Sequence, residues 1–372
     1  MNRNHLSKYK DAKPIENELK PPAIAEEPKR EDSDKLQFIG VGEHSSKINR
    51  CRISPDGLLV ASASDDGTVR LWETKSSKNT LTQQQLIFCM SSALSIDWKS
   101  PDDRLLAIGT SSNSVLLWNS DKREMVSEIF AVSDAIMPHV TDVQFCERNH
   151  LLSSTSTGQS SLSVSSTKSL KPSIKFEKDI VKHSCVRLWN VNTTQLVSTL
   201  YSGSEFAINA SSFNHNGSLV VTGGDDGRMR VYDVSKGSCI MEWSTSHPVH
   251  RLCLSTDETS VVCLSPTGFI SIWSLHRVND ALLTFPATAA ETYPACGDII
   301  CKQNVQNEFL ACSSAFPAGE FQLLDSSTAN RNTLETAHTN FISSLDWYSQ
   351  GENTLLCTGS KDHTVRLYQP GL

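Results

Sequence analysis

Short apolar runs separated by turns rich in Gly, Asp and Ser recur along the chain from residue 36 onwards. Ile48, Cys51 and Ile53 form one run, followed by a turn at Ser54-Pro55-Asp56-Gly57. Leu59 to Ala63 form a second run, Asp65-Asp66-Gly67 a second turn, and Val69 to Trp72 a third run. Apolar strands broken by such turns are the grammar of antiparallel hairpins. The order repeats as Ile208, Phe213, Asn216-Gly217, Leu219 to Gly223, Asp225-Asp226-Gly227 and Met229 to Tyr232. It repeats again as Ile342, Leu345, Trp347, Leu355 to Gly359, Asp362 and Val365 to Tyr368. Third runs end on Trp72, Trp118, Trp189, Tyr232, Trp273, Leu324 and Tyr368, with gaps of 46, 71, 43, 41, 51 and 44 residues.

A period of about 40–45 residues with this ending is the signature of WD-repeat propeller blades. The expected fold is all-β: a seven-bladed WD-repeat β-propeller over residues 36–372, with a disordered N-terminal tail. Blades 2, 3 and 5 follow the pattern weakly, and blade 6 least. Leu36 to Gly40 is left over at one end, while the seventh blade stops after its third run. Leu36 to Gly40 is therefore expected to supply the outer strand of the last blade, closing the ring and protecting its edge. Residues 1–35 hold eight basic and eight acidic residues, four prolines and few large apolar groups, too little to fold alone. Residues 157–182, inside blade 3, carry seven serines, five lysines and two acids and read as a mobile insertion. Two readings of it stand: a tolerated insertion, or a basic contact loop that phosphorylation would switch.

The net charge of −7 disfavours nucleic acid as the main partner, since phosphate contact needs concentrated Lys and Arg. It gives no pull towards an anionic membrane either. Met1 to Lys10 carries no apolar signal core, and no run approaches the roughly 18 apolar residues of a membrane span. The expectation is a cytoplasmic protein with at most peripheral membrane association. The eleven cysteines include no Cys-x-x-Cys, and His and Cys never cluster at ligand spacing. Cys51, Cys253, Cys263, Cys312 and Cys357 sit on expected strands among apolar residues and read as small buried hydrophobes in a reducing compartment, with no metal and no cofactor expected.

Several motifs imitate chemistry. Asp65-Asp66 and Asp225-Asp226 are neighbours on turns and need not converge on one substrate atom. Gly223-Gly224-Asp225-Asp226-Gly227 lacks the Gly-Lys-Ser/Thr of a phosphate loop. No convergent acid, base and nucleophile can be named, so an enzyme is not expected. In WD-repeat proteins the second Asp of the turn hydrogen-bonds a His from the preceding loop, and the His reaches on to the strand Ser or Thr and the Trp. Asp66 with His44 and Trp72, and Asp362 with His338 and Tyr368, fit that structural role. Asp226, beside Tyr232, has no His at the matching place. Arg70, Arg187, Arg230 and Arg366 share one register before the strand-ending aromatic and read as a repeat feature. A partner-binding surface is expected on the loops that enter each first strand. Lys47, His139 and Phe341 occupy equivalent positions there, and Phe206 and Met137 lie in the same loops. An apolar group on a polar rim is a candidate anchor, or else packs against the neighbouring blade.

The stretch Ala207-Ile208-Asn209-Ala210-Ser211-Ser212-Phe213-Asn214-His215-Asn216-Gly217-Ser218-Leu219-Val220-Val221-Thr222-Gly223 is more specific than a generic repeat. With Val186-Arg187-Leu188-Trp189-Asn190, the blade 3 insertion and Cys239-Ile240-Met241-Glu242-Trp243, it resembles the WD-repeat subunit family of the endosomal phosphatidylinositol 3-kinase suppressor complex. That resemblance implies a non-catalytic scaffold or effector, peripheral on early and late endosome membranes. Its implied partners are a BEACH-domain WD-repeat protein, the class III phosphatidylinositol 3-kinase complex and the late-endosomal Rab GTPase. Its implied effect is to restrain the kinase and promote conversion of early to late endosomes. Members of that family carry a long N-terminal half with a dimerisation motif and coiled coil. A 35-residue tail precedes the propeller here, so the expected activity is the propeller's own partner binding. A substrate receptor or adaptor of a ubiquitin ligase is the alternative. Such receptors usually carry Trp-Asp-x-Arg at a blade end, where this chain reads Trp72-Glu73-Thr74-Lys75, Trp118-Asn119-Ser120-Asp121 and Trp189-Asn190-Val191-Asn192.

Overall fold

The structure is a computed structural model. It describes residues 36–75, 79–100, 104–130, 139–146, 150–156, 184–201, 206–276, 281–285, 297–303, 308–313, 319–325, 331–350 and 353–370. The expected tail over 1–35 and the insertion over 157–182 lie outside the described residues.

The described strands form seven four-stranded antiparallel sheets. Blade 1 is Ile48–Ile53, Leu59–Ser64, Thr68–Glu73 and Gln83–Phe88. The first strands of blades 2 to 7 are Ala93–Trp98, His139–Cys146, Ile208–Phe213, Arg251–Leu254, Ile299–Gln303 and Ile342–Gln350. Each of these first strands adjoins the first strand of the next blade, and blade 7 adjoins blade 1, so the ring is closed. All seven run-ending residues, from Trp72 to Tyr368, fall on the third strand of a sheet.

Blade 7 is completed from the other end of the chain. Leu36–Glu43 pairs antiparallel with Thr364–Pro370, with Phe38 opposite Tyr368. The two rings meet edge to face at 5.7 Å and 62°, a favoured aromatic geometry. Leu36 and Phe38 pack onto the core shared by blades 6 and 7.

The blades interlock through size matching at one position of the second strand. A Cβ added at Gly223 would lie 2.4 Å from Val249 Cγ1 in the next blade. At Gly109 it would meet Val140 Cγ1, and at Gly359 Ile48 Cγ2, both at 2.8 Å. Where the next blade instead starts with Ala93, the same second-strand position is Ala63, and both are fully buried. Small faces β-branched, or small faces small, because interiors are packed too densely for two large groups.

The sheets are not equivalent repeats. The His–Asp network predicted for a WD blade joins described residues in blades 1 and 7, and the other described blades use different partners.

Candidate partner-binding rim

The blade 1 network runs from a loop through a turn to two strands. His44 Nδ1 lies 2.9 Å from Asp66 Oδ2, and His44 Nε2 lies 2.7 Å from Ser62 Oγ. Trp72 Nε1 donates to the same Ser62 oxygen at 2.8 Å. A carboxylate only accepts, so Nδ1 carries the imidazole proton and the Ser62 hydroxyl donates to Nε2. Burial lowers the His44 pKa, and the Asp66 hydrogen bond pulling upward does not offset it. Burial pushes the Asp66 carboxyl up, but bonds from Thr68 and His44 outweigh it and hold the group well below the usual carboxylate range. The network is therefore a neutral imidazole held between an ionised carboxylate and a hydroxyl, with no open position for a substrate.

Blade 7 repeats it: His338 Nδ1 to Asp362 Oδ2 at 2.9 Å, and Nε2 to Thr358 Oγ1 at 2.8 Å. Tyr368 stands in the place of Trp72, and its phenolic oxygen accepts from the Ala337 amide at 3.3 Å. In blade 4 an arginine replaces the histidine. Arg230 Nη2 donates to Asp226 Oδ2 at 2.7 Å, and its Nε to Glu242 Oε2 at 2.7 Å. Tyr232, on the same third strand as Arg230, is buried in the core shared with blade 3. In blade 3 Trp189 Nε1 donates to Ser153 Oγ at 2.8 Å, and in blade 2 Trp118 Nε1 donates to Gln85 Oε1 at 2.9 Å.

The acidic pairs diverge rather than converge. While Asp66 and Asp226 turn towards these networks, Asp65 and Asp225 each take a bond at 2.6 Å from Asn49 and Asn209 respectively. The same amides donate onward to Ala93 O at 2.8 Å and Val249 O at 2.9 Å, clipping each blade to the next.

Of the rim candidates, Lys47, Phe206 and Phe341 lie in loops that enter first strands, and His139 opens the first strand of blade 3. Lys47 Nζ lies 3.1 Å from Asp65 Oδ2, with the lysine about half exposed at 47%. His139 is exposed and its Nδ1 donates to Ser111 O at 2.7 Å. Phe341 is half-buried under the Lys361 ammonium, 5.6 Å from the ring centre, within cation–π range. Phe206 is 54% exposed at the entry to blade 4. Met137 lies outside the described residues.

A second charged feature lies on the ring axis. Asp346, Asp97 and Gln144 occupy one position in three first strands, and each accepts the backbone N–H of the next blade, from Ile53, Phe145 and Phe213, all at 2.7 Å. Two residues earlier, Ser344, Ser95 and Asp142 accept from Cys51, Val143 and Ser211 at 3.1, 3.3 and 3.1 Å. Neighbouring first strands cannot ladder to each other around a ring, so side chains supply partners for their N–H groups. Arg50 crosses the axis, 3.1 Å from Asp298 in blade 6 and 3.6 Å from Asp142 in blade 3. Burial, then repulsion from Arg52, lowers the Arg50 pKa to about 10. Burial opposes the charge on Asp298, but Arg50, Arg52 and Arg251 outweigh it and keep the carboxyl ionised. Burial raises the Asp97 pKa to about 7. A cavity of about 480 Å³, bounded by Arg52, Asp97, Trp98, Asp346 and Trp347, opens where the first strands end, opposite the rim. Sequence reasoning missed this layer. Its signal was charge at alternate positions of otherwise apolar first strands, as in Arg50 and Arg52.

Three segments, 36–73, 194–233 and 330–369, match the family described as WD domain, G-beta repeat. Among relatives, a Dictyostelium discoideum protein named WD repeat-containing protein 91 homolog is 29% identical over 326 residues, covering 87% of this chain and 38% of the relative. WD repeat-containing protein 91 of Mus musculus is 30% identical over 238 residues, 63% of this chain and 31% of the relative. That of Danio rerio is 25% identical over 352 residues, 90% of this chain and 46% of the relative. The chain thus spans less than half the length of each of these three relatives. These names correct the family given to the resemblance above: the relatives are named WD repeat-containing protein 91, and the names do not mention a phosphatidylinositol 3-kinase suppressor. The chain is a β-propeller that carries WD repeats and is similar to WD repeat-containing protein 91, and both findings support a scaffold or adaptor.

Proposed function

We propose that this chain is a non-catalytic scaffold that binds a protein partner through the loops entering its first strands. The carrying observation is the contrast between two groups of residues. The His44–Asp66, Arg230–Asp226 and His338–Asp362 pairs of blades 1, 4 and 7 are consumed in structural networks, while Phe206, His139, Lys47 and the Phe341–Lys361 pair stay at the rim. An exposed aromatic and a cation-capped aromatic among polar loops form the pattern of an anchored protein interface. The proposed setting is the cytoplasmic face of early and late endosomes. There the scaffold engages the late-endosomal Rab GTPase and works with a BEACH-domain protein to restrain the class III phosphatidylinositol 3-kinase complex, so that early endosomes convert to late ones. The test is binding of the purified chain to that Rab protein loaded with GTP or with GDP. Preference for the GTP form supports an effector surface on the propeller. Binding to neither form, from a folded sample, refutes it.

A further inference from the structure

Blade 5 lacks the network that fills blades 1 and 7, and the space is left open. In blade 1, Ser62, Asp66 and His44 fill the wedge beside Trp72. In blade 5 the second-strand residue is Cys263, the turn reads Ser265-Pro266-Thr267-Gly268, and Trp273 Nε1 donates to Ser271 Oγ at 2.9 Å. His247 in the entering loop does not take the role of His44. Its ring stacks on Phe269 at 4.8 Å and 24°. What remains is a cavity of about 310 Å³ bounded by His247, Phe269, Cys263, Ser271, Trp273 and Thr284.

Three properties define what fits. The walls contributed by Phe269, His247 and Trp273 are flat and aromatic, which suits an aromatic ring. His247 Nδ1 is buried and has no hydrogen-bond partner, a costly condition that a polar tip would relieve. Among the described residues, no Asp, Glu, Lys or Arg lines the cavity, so an ion would be desolvated without a counter-charge. Burial pushes the Cys263 thiol well up, so it stays protonated and acts as apolar wall. An apolar cavity of about 150 Å³ accepts benzene, so this space is ample for a phenol. The site is built rather than accidental: Thr245 donates to Gly227 O through both its amide and its hydroxyl at 2.7 Å, with Gly227 at a φ of 64°.

We propose that this cavity receives a neutral aromatic side chain with one polar tip, of the tyrosine class, from a partner segment crossing the rim between blades 4 and 5. The reading rests on the rim proposal above, because the loop that walls the cavity enters a first strand, as do the loops of Lys47 and Phe341.

The test uses the whole chain alone, with p-cresol and toluene as probes, read by NMR shift mapping. p-Cresol is expected to perturb Val249, Phe269 and Ala281, and toluene to bind about tenfold more weakly, the value of one net hydrogen bond. His247→Phe keeps the stack but removes the nitrogen, and should reduce p-cresol to the toluene level. Thr284→Trp, at an exposed position on the mouth, should abolish both. Unchanged resonances at these three residues with p-cresol, or equal binding of the two probes, would overturn the proposal. Because no partner is present, this result is independent of the Rab experiment, and either reading can fail alone.

Discussion

Gly223→Ala isolates the size rule between blades. The added Cβ would sit 2.4 Å from Val249 Cγ1, 2.8 Å from Val249 Cβ and 3.1 Å from Leu252 Cδ2. Val249 is buried in the core of blades 4 and 5 and cannot swing into solvent. Overpacking a filled core costs about 1–3 kcal/mol, and contacts this short put the expectation at about 2–3 kcal/mol. Val249→Ala alone removes two methyl groups from a buried site, for a loss of about 1–2 kcal/mol. Together the two changes recreate the Ala63–Ala93 pairing that blade 1 already makes with blade 2. The double variant should therefore be more stable than the sum of the singles by about 1–2 kcal/mol, a coupling typical of residues in contact. Urea unfolding of the four proteins, compared at fixed slope, reads the cycle. A Gly223→Ala protein as stable as the parent, or strictly additive losses, would refute the packing rule.

Phe38→Ala should cost about 2–3 kcal/mol, and limited proteolysis should then cut the Leu36–Glu43 strand before the rest of the ring. The Asp97 carboxyl, raised to about 7 from 3.8 by burial, opposes folding progressively as pH rises from about 4 to 7, because the unfolded chain ionises first. Asp97→Asn can still accept the Phe145 amide, so it should be the more stable protein above pH 7, by on the order of 1–2 kcal/mol. The gap should close near pH 4 in urea titrations, and a pH-independent gap would contradict it. His44 and His338, lowered by burial below 6.5, act with the opposite sign. Their stabilisation is full above about pH 6.5 and is lost as pH falls, because the unfolded chain takes up the proton first. Measured with Asp97→Asn, stability should fall from pH 6.5 to 5, and a flat profile would refute the neutral-imidazole assignment. Phe206→Ala and Phe341→Ala should each weaken partner binding without shifting the unfolding midpoint by more than a few tenths of a kcal/mol, and unchanged binding would count against the rim.

The third strands were legible because each ends on a large residue that fills the wedge between sheets, as Trp72 and Tyr368 do. The fourth strands of the other blades were not, although Leu36 to Gly40 was expected as that of blade 7. Gln83–Phe88 buries only Gln85 and Ile87 and exposes the other four residues, so its pattern resembles a polar connector. Within the candidate site, His44 and Asp66 could be paired from sequence because the WD-repeat pattern sets a His before one hairpin and an Asp after it. The Arg230–Asp226 substitution was hidden, since arginine was read as a repeat feature. The axial layer was least legible of all. Arg50, Asp142 and Asp298 lie in three blades far apart in the chain, and only closing the ring brings them within an ion pair's reach. The blade 5 cavity is a missing network, and a missing network leaves no positive motif to find.

The pairing of Leu36–Glu43 with Thr364–Pro370 makes the ring a clasp whose two halves are far apart in synthesis order. The first half emerges before any complete sheet of this ring exists, and its partner comes more than 300 residues later. At the pace of translation, that leaves the strand without its hydrogen-bonding neighbour for tens of seconds. Blades 1 to 6 can stack in succession during that interval, each on the one before, but none of them can fasten the ring. The final step is thus a single long-range closure, with the highest loop entropy in the molecule to overcome. A nascent chain held short of Thr364 should consequently present an open edge on blade 7, and a chaperone or a second copy would find it there.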